Sequence, residues 1–119
     1  MMAKILVVED AVFVRNWCSR VLREQGYDVV EAANSEEALQ TYREEKPDGV
    51  LLDITAPDTD GVLTVQEIIK IDPAARVAMV TAMGQSLTVL NAMEAGARDS
   101  VMKPFDSNRV LDAVEKLVG

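Results

Sequence analysis

The chain of 119 residues contains no histidine and one cysteine, Cys18. The absence of histidine excludes serine hydrolase triads, cysteine–histidine pairs, most zinc sites and any phosphohistidine on this chain. A lone cysteine cannot form an intramolecular disulfide, which agrees with a reducing compartment. Because Cys18 shares a helical face with Val14, Val21 and Leu22, we expect a packed and unreactive thiol.

The sequence also lacks long apolar runs, low-complexity segments, internal repeats and blocks of like charge. No apolar run approaches the length of a membrane span, and the N-terminal residues do not have the pattern of a signal peptide. The net charge of -8 disfavours direct binding to nucleic acid or an anionic membrane, because both require Lys and Arg to neutralise phosphates. We therefore expect one cytoplasmic, monomeric domain over residues 1–119, without membrane insertion.

Five short apolar segments alternate with five segments of helical periodicity. The predicted strands cover residues 4–9 and 28–32, a segment that ends at residue 53, and residues 76–82 and 98–103. The predicted helices cover about residues 12–25, 34–45, 62–71 and 85–96, with a last helix that contains residues 110–118. A loop that contains Pro57 precedes the third helix at Asp60 and Gly61. Strictly alternating strands and helices predict a doubly wound, parallel α/β sheet with helices on both faces.

Four of the apolar segments end at polar side chains. The first segment ends at Glu9 and Asp10, the third at Asp53, the fourth at Thr81 and the fifth at Lys103. In a doubly wound sheet, ligands bind beyond the carboxyl ends of the strands, near the switch in strand order. Each residue alone is more simply explained as part of a turn or of the surface. Their joint placement at one edge predicts a site for a divalent cation and a phosphoryl group.

Three carboxylates brought to one edge would repel one another and raise at least one pKa unless a cation offset their charge. Mg²⁺ is the natural cation, because it prefers oxygen ligands and retains several waters. The predicted ligands are drawn from the carboxylates of Glu9, Asp10 and Asp53, with the backbone carbonyl of Thr55 as a further candidate.

A carboxylate can attack phosphorus and form an acyl phosphate, and Asp53 ends the strand nearest the sheet centre. Asp53 is therefore the predicted phosphoryl acceptor. Phosphoryl transfer is catalysed mainly by positioning and charge neutralisation, which Mg²⁺, the Lys103 ammonium and the Thr81 hydroxyl would supply.

This pattern resembles the receiver domain of two-component response regulators over essentially all 119 positions. The motifs that carry the resemblance are Glu9-Asp10, Leu51-Leu52-Asp53-Ile54 with Pro57 and Asp60-Gly61, Thr81-Ala82, and Lys103-Pro104-Phe105. The resemblance implies a sheet of strand order 2-1-3-4-5. It also implies that a sensor histidine kinase donates a phosphoryl group to Asp53, with Mg²⁺ held by Glu9, Asp10, Asp53 and the Thr55 carbonyl. Such a protein catalyses only its own phosphorylation and dephosphorylation, and its Lys103-Pro104 bond can be cis.

Two further segments are similar to those of stand-alone chemotaxis regulators of the CheY type: Ala82-Met83-Gly84-Gln85 and Ile71-Asp72-Pro73. This likeness implies a downstream protein target, such as a flagellar-motor switch component, and no output domain. Ser100 departs from the pattern, because the family usually places an aromatic residue three positions before Lys103. That aromatic swings inward as the residue equivalent to Thr81 engages the phosphate, and Ser100 cannot act in this way.

Four alternatives remain open. A single-domain phosphorelay intermediate would have the same motifs. A flavodoxin-like flavin carrier would share the fold, but Glu9 and Asp10 would repel its flavin phosphate. An aspartyl phosphohydrolase of the haloacid dehalogenase type carries Asp-x-Asp, whereas Asp53 is followed by Ile54 and Thr55. A degenerate receiver that acts only as a binding module is disfavoured because every site position is filled.

Overall fold

The computed structural model describes residues 2–55 and 60–119. Its five parallel strands form one sheet in the order β2-β1-β3-β4-β5, which confirms the predicted fold class. The strands are β1 Lys4–Val8, β2 Asp28–Ala32, β3 Gly49–Asp53, β4 Val77–Thr81 and β5 Asp99–Met102. The helices are α1 Val12–Glu24, α2 Ser35–Glu45, α3 Gly61–Ile71, α4 Ser86–Ala95 and α5 Ser107–Val118. The loop predicted around Pro57 lies outside the described residues.

Two apolar cores, one on each face of the sheet, hold the layers together. Successive side chains of a strand point to opposite faces. In β3, Val50 and Leu52 therefore pack with residues of α2, α3 and α4, whereas Leu51 packs with residues of α1 and α5. All residues of β3 and β4 are buried, as expected for central strands of a parallel sheet. Packing of helices on both faces of the sheet fixes where each strand ends relative to its neighbours.

Local capping signals set the starts of three helices. The side chains of Asn34, Asp60 and Asp106 accept hydrogen bonds from backbone N–H groups in the first turns of α2, α3 and α5. An acceptor at this position satisfies a donor that has no partner within the helix. Asn34 and Asp60 lie at the starts that the sequence predicts for the second and third helices. Across residues 2–55 and 60–119, no helix combines the length and the apolar composition needed to cross a membrane.

The apolar neighbours of Met79, Met93 and Met102 in the sequence predict core positions for these residues, which is correct for the first and wrong for the other two. Met79 in the central strand β4 is fully buried. Met93 on α4 is 40% exposed, and Met102 at the end of the edge strand β5 is 57% exposed. Met102 is the last residue of β5, which lies at the edge of the sheet. Both exposed methionines lie on the α4 and β5 side of the molecule.

The thiol of Cys18 lies in the core between α1 and the sheet, and its side chain is 3% exposed. Burial raises its pKa to about 11. We expect alkylation of the folded protein at pH 8 to be on the order of 100-fold slower than that of the unfolded chain, because both thiolate population and access are reduced. The rate should still rise with pH above 10, measured with a thiol-reactive chromophore with and without denaturant. Equal rates in the folded and unfolded states would contradict this prediction.

Candidate functional site

The strand ends bring the predicted site residues to one edge of the sheet. Glu9 and Asp10 follow β1, Asp53 is the last residue of β3, Thr81 is the last residue of β4, and Lys103 follows β5. Because β3 lies between β1 and β4, Asp53 occupies the middle of this edge. The side chains of Glu9, Asp53 and Thr81 are buried, whereas Asp10 is exposed. These polar groups follow or end four different strands, so they come together only because the strand order places those strand ends side by side.

The Lys103 ammonium joins the acidic groups. Its Nζ lies 2.9 Å from Asp53 Oδ2 and 3.4 Å from Glu9 Oε1, and it donates to Thr55 Oγ1 at 3.1 Å. The peptide bond between Lys103 and Pro104 is cis, as the resemblance implied. The ammonium therefore lies between the carboxylates of the first and third strands and offsets part of their charge.

Thr55 orients the Asp53 carboxylate from the other side. Its backbone N–H donates to Asp53 Oδ1 at 2.7 Å, and its hydroxyl donates to the same oxygen at 2.6 Å. With Lys103 on Oδ2, both oxygens of Asp53 are hydrogen-bonded. From the sequence, only the carbonyl of Thr55 is expected to take part in the site, and that role stays a prediction. The available signal for the hydroxyl was a Thr two residues after an Asp, a spacing at which Asp commonly accepts hydrogen bonds from the following backbone.

The carboxylates of Glu9, Asp10 and Asp53 form a cluster that could hold a metal ion. One oxygen from each of the three lies within 4.8 Å of the others. Glu9 and Asp53 are 4% and 3% exposed, so water offsets little of their mutual repulsion. Asp10 keeps the cluster open to solvent. Hard oxygen ligands with access to water match the preference of Mg²⁺, so the residues present fit this ion.

The pKa values of Glu9 and Asp53 shift in opposite directions. Burial, a hydrogen bond with Asp53 and the charge of Asp53 raise the pKa of Glu9 to about 8. Burial also acts to raise the pKa of Asp53, but hydrogen bonds with Glu9, Thr55 and Lys103 outweigh it and leave that pKa below its ordinary value. Burial lowers the pKa of Lys103, but its contacts with Asp53 and Glu9 raise it further than burial lowers it. A proton in this cluster therefore favours Glu9 over Asp53.

Thr81 lies next to this group without joining it. Its backbone carbonyl accepts a hydrogen bond from the Lys103 N–H at 2.7 Å. The Lys103 ammonium, however, donates to carboxylates and to the Thr55 hydroxyl rather than to the Thr81 hydroxyl. Thr81 is therefore placed at the predicted edge, with a buried side chain that is free of the ion-pair cluster among the described residues.

Gln85 connects the chain segments that follow β3 and β4, a role that the sequence does not predict. Its Oε1 accepts a hydrogen bond from the Ala82 N–H at 2.8 Å, and its Nε2 donates to the Ile54 carbonyl at 3.4 Å. Ala82 follows Thr81 and Ile54 follows Asp53, so this one amide links the backbone next to two site residues. Such a contact depends on side-chain reach across the edge, and no local sequence pattern indicates it.

An apolar groove of about 550 Å³ adjoins the ion-pair cluster. Its lining residues are Phe13, Val14, Trp17, Lys103, Pro104 and Phe105. The rings of Trp17 and Phe105 pack at a centroid distance of 5.8 Å. Phe13 on α1 and Met83 after β4 are 86% and 87% exposed, so large apolar side chains stand on both sides of the acidic centre.

The fold and the site together define a receiver-type α/β domain, in which an acidic cluster and a lysine meet at the switch in strand order. Residues 5–115 match the sequence profile of the response regulator receiver domain. The chain belongs to this family, a CheY-like receiver domain of two-component systems.

Similar proteins span nearly the same length. The chain is 45% identical over 114 residues to the chemotaxis protein CheY of Bacillus subtilis strain 168, and the alignment covers 95% of each chain. It is 37% identical over 113 residues to sporulation initiation phosphotransferase F of the same organism, with 95% of this chain and 91% of the relative covered. The crystal structure of the receiver domain of NtrX from Brucella abortus superposes with a TM-score of 0.90 at 31% identity, over 96% of this chain and 97% of that one.

Proposed function

We propose that Asp53 accepts a phosphoryl group from a sensor histidine kinase and that the phosphorylated protein signals through changed binding to a downstream protein. One observation carries this proposal: an ionised, buried carboxylate lies at the middle of the carboxyl edge, with an ammonium on one oxygen and two donors on the other. A carboxylate held in this way is oriented for attack, and its surroundings can neutralise the charge that it acquires.

In the proposed step, an oxygen of Asp53 attacks phosphorus and forms an acyl phosphate. The bond between phosphorus and the donor imidazole nitrogen breaks, its electron pair stays on the ring, and that nitrogen takes a proton. The donor histidine lies outside these 119 residues, because they contain none. Lys103 offsets the charge on the transferred group, and Thr55 holds the acceptor carboxylate in position.

We propose that Mg²⁺ is held by the carboxylates of Glu9, Asp10 and Asp53 and by the Thr55 carbonyl. When bound, the ion supplies positive charge to phosphoryl oxygens. Glu9 would hold the ion in its deprotonated form, because metal ligands must be deprotonated.

The proposed output is a shift between two arrangements of the segment after β4. Met83 is almost fully exposed, and Gly84, at φ +86°, has no atom within 4 Å of the Cβ position, so this segment has room to rearrange. Ser100 supplies no aromatic lever. Its carbonyl accepts instead from Arg109 Nη2 at 2.9 Å, which connects β5 to α5. The surface of α4, β5 and α5 would therefore respond through backbone movement.

The downstream target is proposed to be a flagellar-motor switch component, which would make the protein a cytoplasmic, monomeric chemotaxis regulator. The similarity to CheY of Bacillus subtilis supports this choice. A phosphorelay role is the second candidate, because sporulation initiation phosphotransferase F is also similar. Phosphorylation-dependent capture of a motor switch component would support the first role. Phosphoryl transfer from this protein to a histidine phosphotransfer protein, without such capture, would support the second.

The proposal is tested by incubating the protein with a small-molecule phosphodonor, with Mg²⁺ or with EDTA, followed by intact mass spectrometry. We expect one phosphoryl group per chain with Mg²⁺ and a large loss of the adduct in EDTA, because the clustered carboxylates need a cation to receive a further negative charge. Absence of the adduct in Mg²⁺, or an equal adduct in EDTA, would contradict the proposal. Calorimetric titration with Mg²⁺ alone measures the metal site independently of transfer.

A further inference from the structure

Arg15 on α1 makes two contacts that converge next to the acidic cluster. Its Nη1 donates to the backbone carbonyl of Glu9 at 2.8 Å, and its Nε donates to Glu31 Oε1 on β2 at 3.1 Å. The side chain is 18% exposed, so these contacts are shielded from most of the solvent. One guanidinium therefore joins the first helix, the end of the first strand and the neighbouring edge strand.

The contact with Glu9 acts on the backbone of two predicted metal ligands at once. The Glu9 carbonyl belongs to the peptide group that connects Glu9 to Asp10. The Glu9 N–H is held on the other side by the Ala32 carbonyl at 3.0 Å. Asp10 lies beyond β1 and is exposed, so the position of its carboxylate depends on this peptide group. A hydrogen bond from a charged donor is stronger than one between neutral groups, and a guanidinium donates in fixed directions.

Glu31 keeps the guanidinium in place. Its second oxygen lies 3.7 Å from Arg23 Nη2, so one carboxylate is shared by two arginines of α1. Arg23 also donates to the Val29 carbonyl at 3.3 Å, but it makes no contact with Glu9 among the described residues. Arg15 and Arg23 therefore form a matched pair on one helix. Among the described residues, only Arg15 of this pair contacts a residue of the acidic cluster.

We propose that Arg15 is a positioning residue for the Mg²⁺ site, through which the Glu9-Asp10 peptide group is held in the orientation that lets both carboxylates meet Asp53. This inference rests on the proposed function. Arg15 touches neither the phosphoryl group nor the metal. Its role is comparable to that of outer partners of metal ligands, whose removal typically weakens metal affinity by about 10–100-fold.

The test compares Arg15→Met with Arg23→Met by calorimetric titration with Mg²⁺. Methionine keeps much of the apolar stem and removes the donors. We expect the Mg²⁺ dissociation constant of Arg15→Met to rise about tenfold, whereas that of Arg23→Met stays within about twofold of the wild type. Arg15→Lys should recover part of the affinity, because one ammonium can reach the Glu9 carbonyl but cannot also hold Glu31 in fork geometry.

A second readout separates positioning from a general loss of structure. The Mg²⁺ concentration that gives half-maximal phosphorylation should rise in Arg15→Met, while the maximal rate at saturating Mg²⁺ stays near that of the wild type. Glu31→Gln should shift the same concentration in the same direction by a smaller factor, which keeps the test valid if Arg15→Met fails to fold. Thermal unfolding in EDTA identifies such a failure.

Several outcomes would overturn the inference. An unchanged dissociation constant in Arg15→Met, or an equal rise in Arg23→Met, would reduce Arg15 to a structural link between α1 and β2. Absence of Mg²⁺ binding by the wild type would overturn the metal part of the proposed function and this inference with it. Wild-type binding with unaffected variants would overturn the inference alone.

Discussion

Asp53→Asn is expected to abolish phosphorylation of the folded protein. The amide has no ionised oxygen to attack phosphorus, and no other described carboxylate is held by the Thr55 donors and Lys103 together. The substitution preserves side-chain shape and keeps an oxygen that can accept from Thr55, so the variant should fold. Intact mass spectrometry after treatment with a small-molecule phosphodonor and Mg²⁺ should detect one adduct on the wild type and none on Asp53→Asn.

Asp28→Asn is the matched control for this prediction. Asp28 is an exposed aspartate at the start of β2, at the opposite end of a strand from the site, and its substitution should leave the adduct unchanged. An adduct of equal yield on Asp53→Asn would assign the acceptor to another residue. Loss of the adduct on Asp28→Asn as well would point to a general effect of charge.

Lys103→Ala is expected to slow phosphorylation by on the order of 100-fold, the usual consequence of removing one preorganised charge from a transition state. The 2.9 Å contact with Asp53 and the 3.4 Å contact with Glu9 are the only charge-neutralising contacts that the described residues offer these two carboxylates. Mg²⁺ affinity should not fall, because the ammonium competes with the metal for the same oxygens. Lys103→Ala should therefore lower the transfer rate without lowering the metal affinity. Arg15→Met should instead lower the metal affinity without lowering the maximal transfer rate.

Phosphoryl-transfer assays that are quenched at set times measure the transfer rate, and calorimetric titration measures the Mg²⁺ affinity separately. Lys116→Ala, which removes an exposed lysine of α5, serves as the control for loss of positive charge. A wild-type transfer rate in Lys103→Ala would remove Lys103 from the chemistry. A large fall in Mg²⁺ affinity would instead indicate that Lys103 supports the metal site.

The sequence predicts the ends of the strands because a buried parallel strand is a nearly unbroken apolar run. The first polar residue after such a run marks where the chain leaves the core. On that basis the sequence predicts one common edge for Glu9, Asp53, Thr81 and Lys103, and the observed strand order brings them to the same end of the sheet. The alternation of strands and helices predicted the fold for a related reason, because parallel neighbours require crossover connections.

The sequence does not predict contacts that depend on how far a side chain reaches across the packed structure. The Gln85 amide and the Arg15 guanidinium each act on a residue whose distance depends on packing rather than on sequence spacing. The sequence predicts a core position for Met102 because apolar residues in a strand are usually buried, and its exposure follows from the edge position of β5. The order of the strands decides such positions, and periodicity carries no information about it.

The sequence by itself determined the strand and helix alternation, the capping of α2 and α3, the acidic and basic residues available at the strand ends and the absence of histidine from these 119 residues. These features depend on residue type and on local spacing. Tertiary structure alone decided the proton distribution between Glu9 and Asp53, the saturation of both Asp53 oxygens and the link from Arg15 to the Glu9-Asp10 peptide group. The reason is physical: hydrogen bonds and pKa shifts depend on distances of a few ångströms and on burial, which only the packed chain defines.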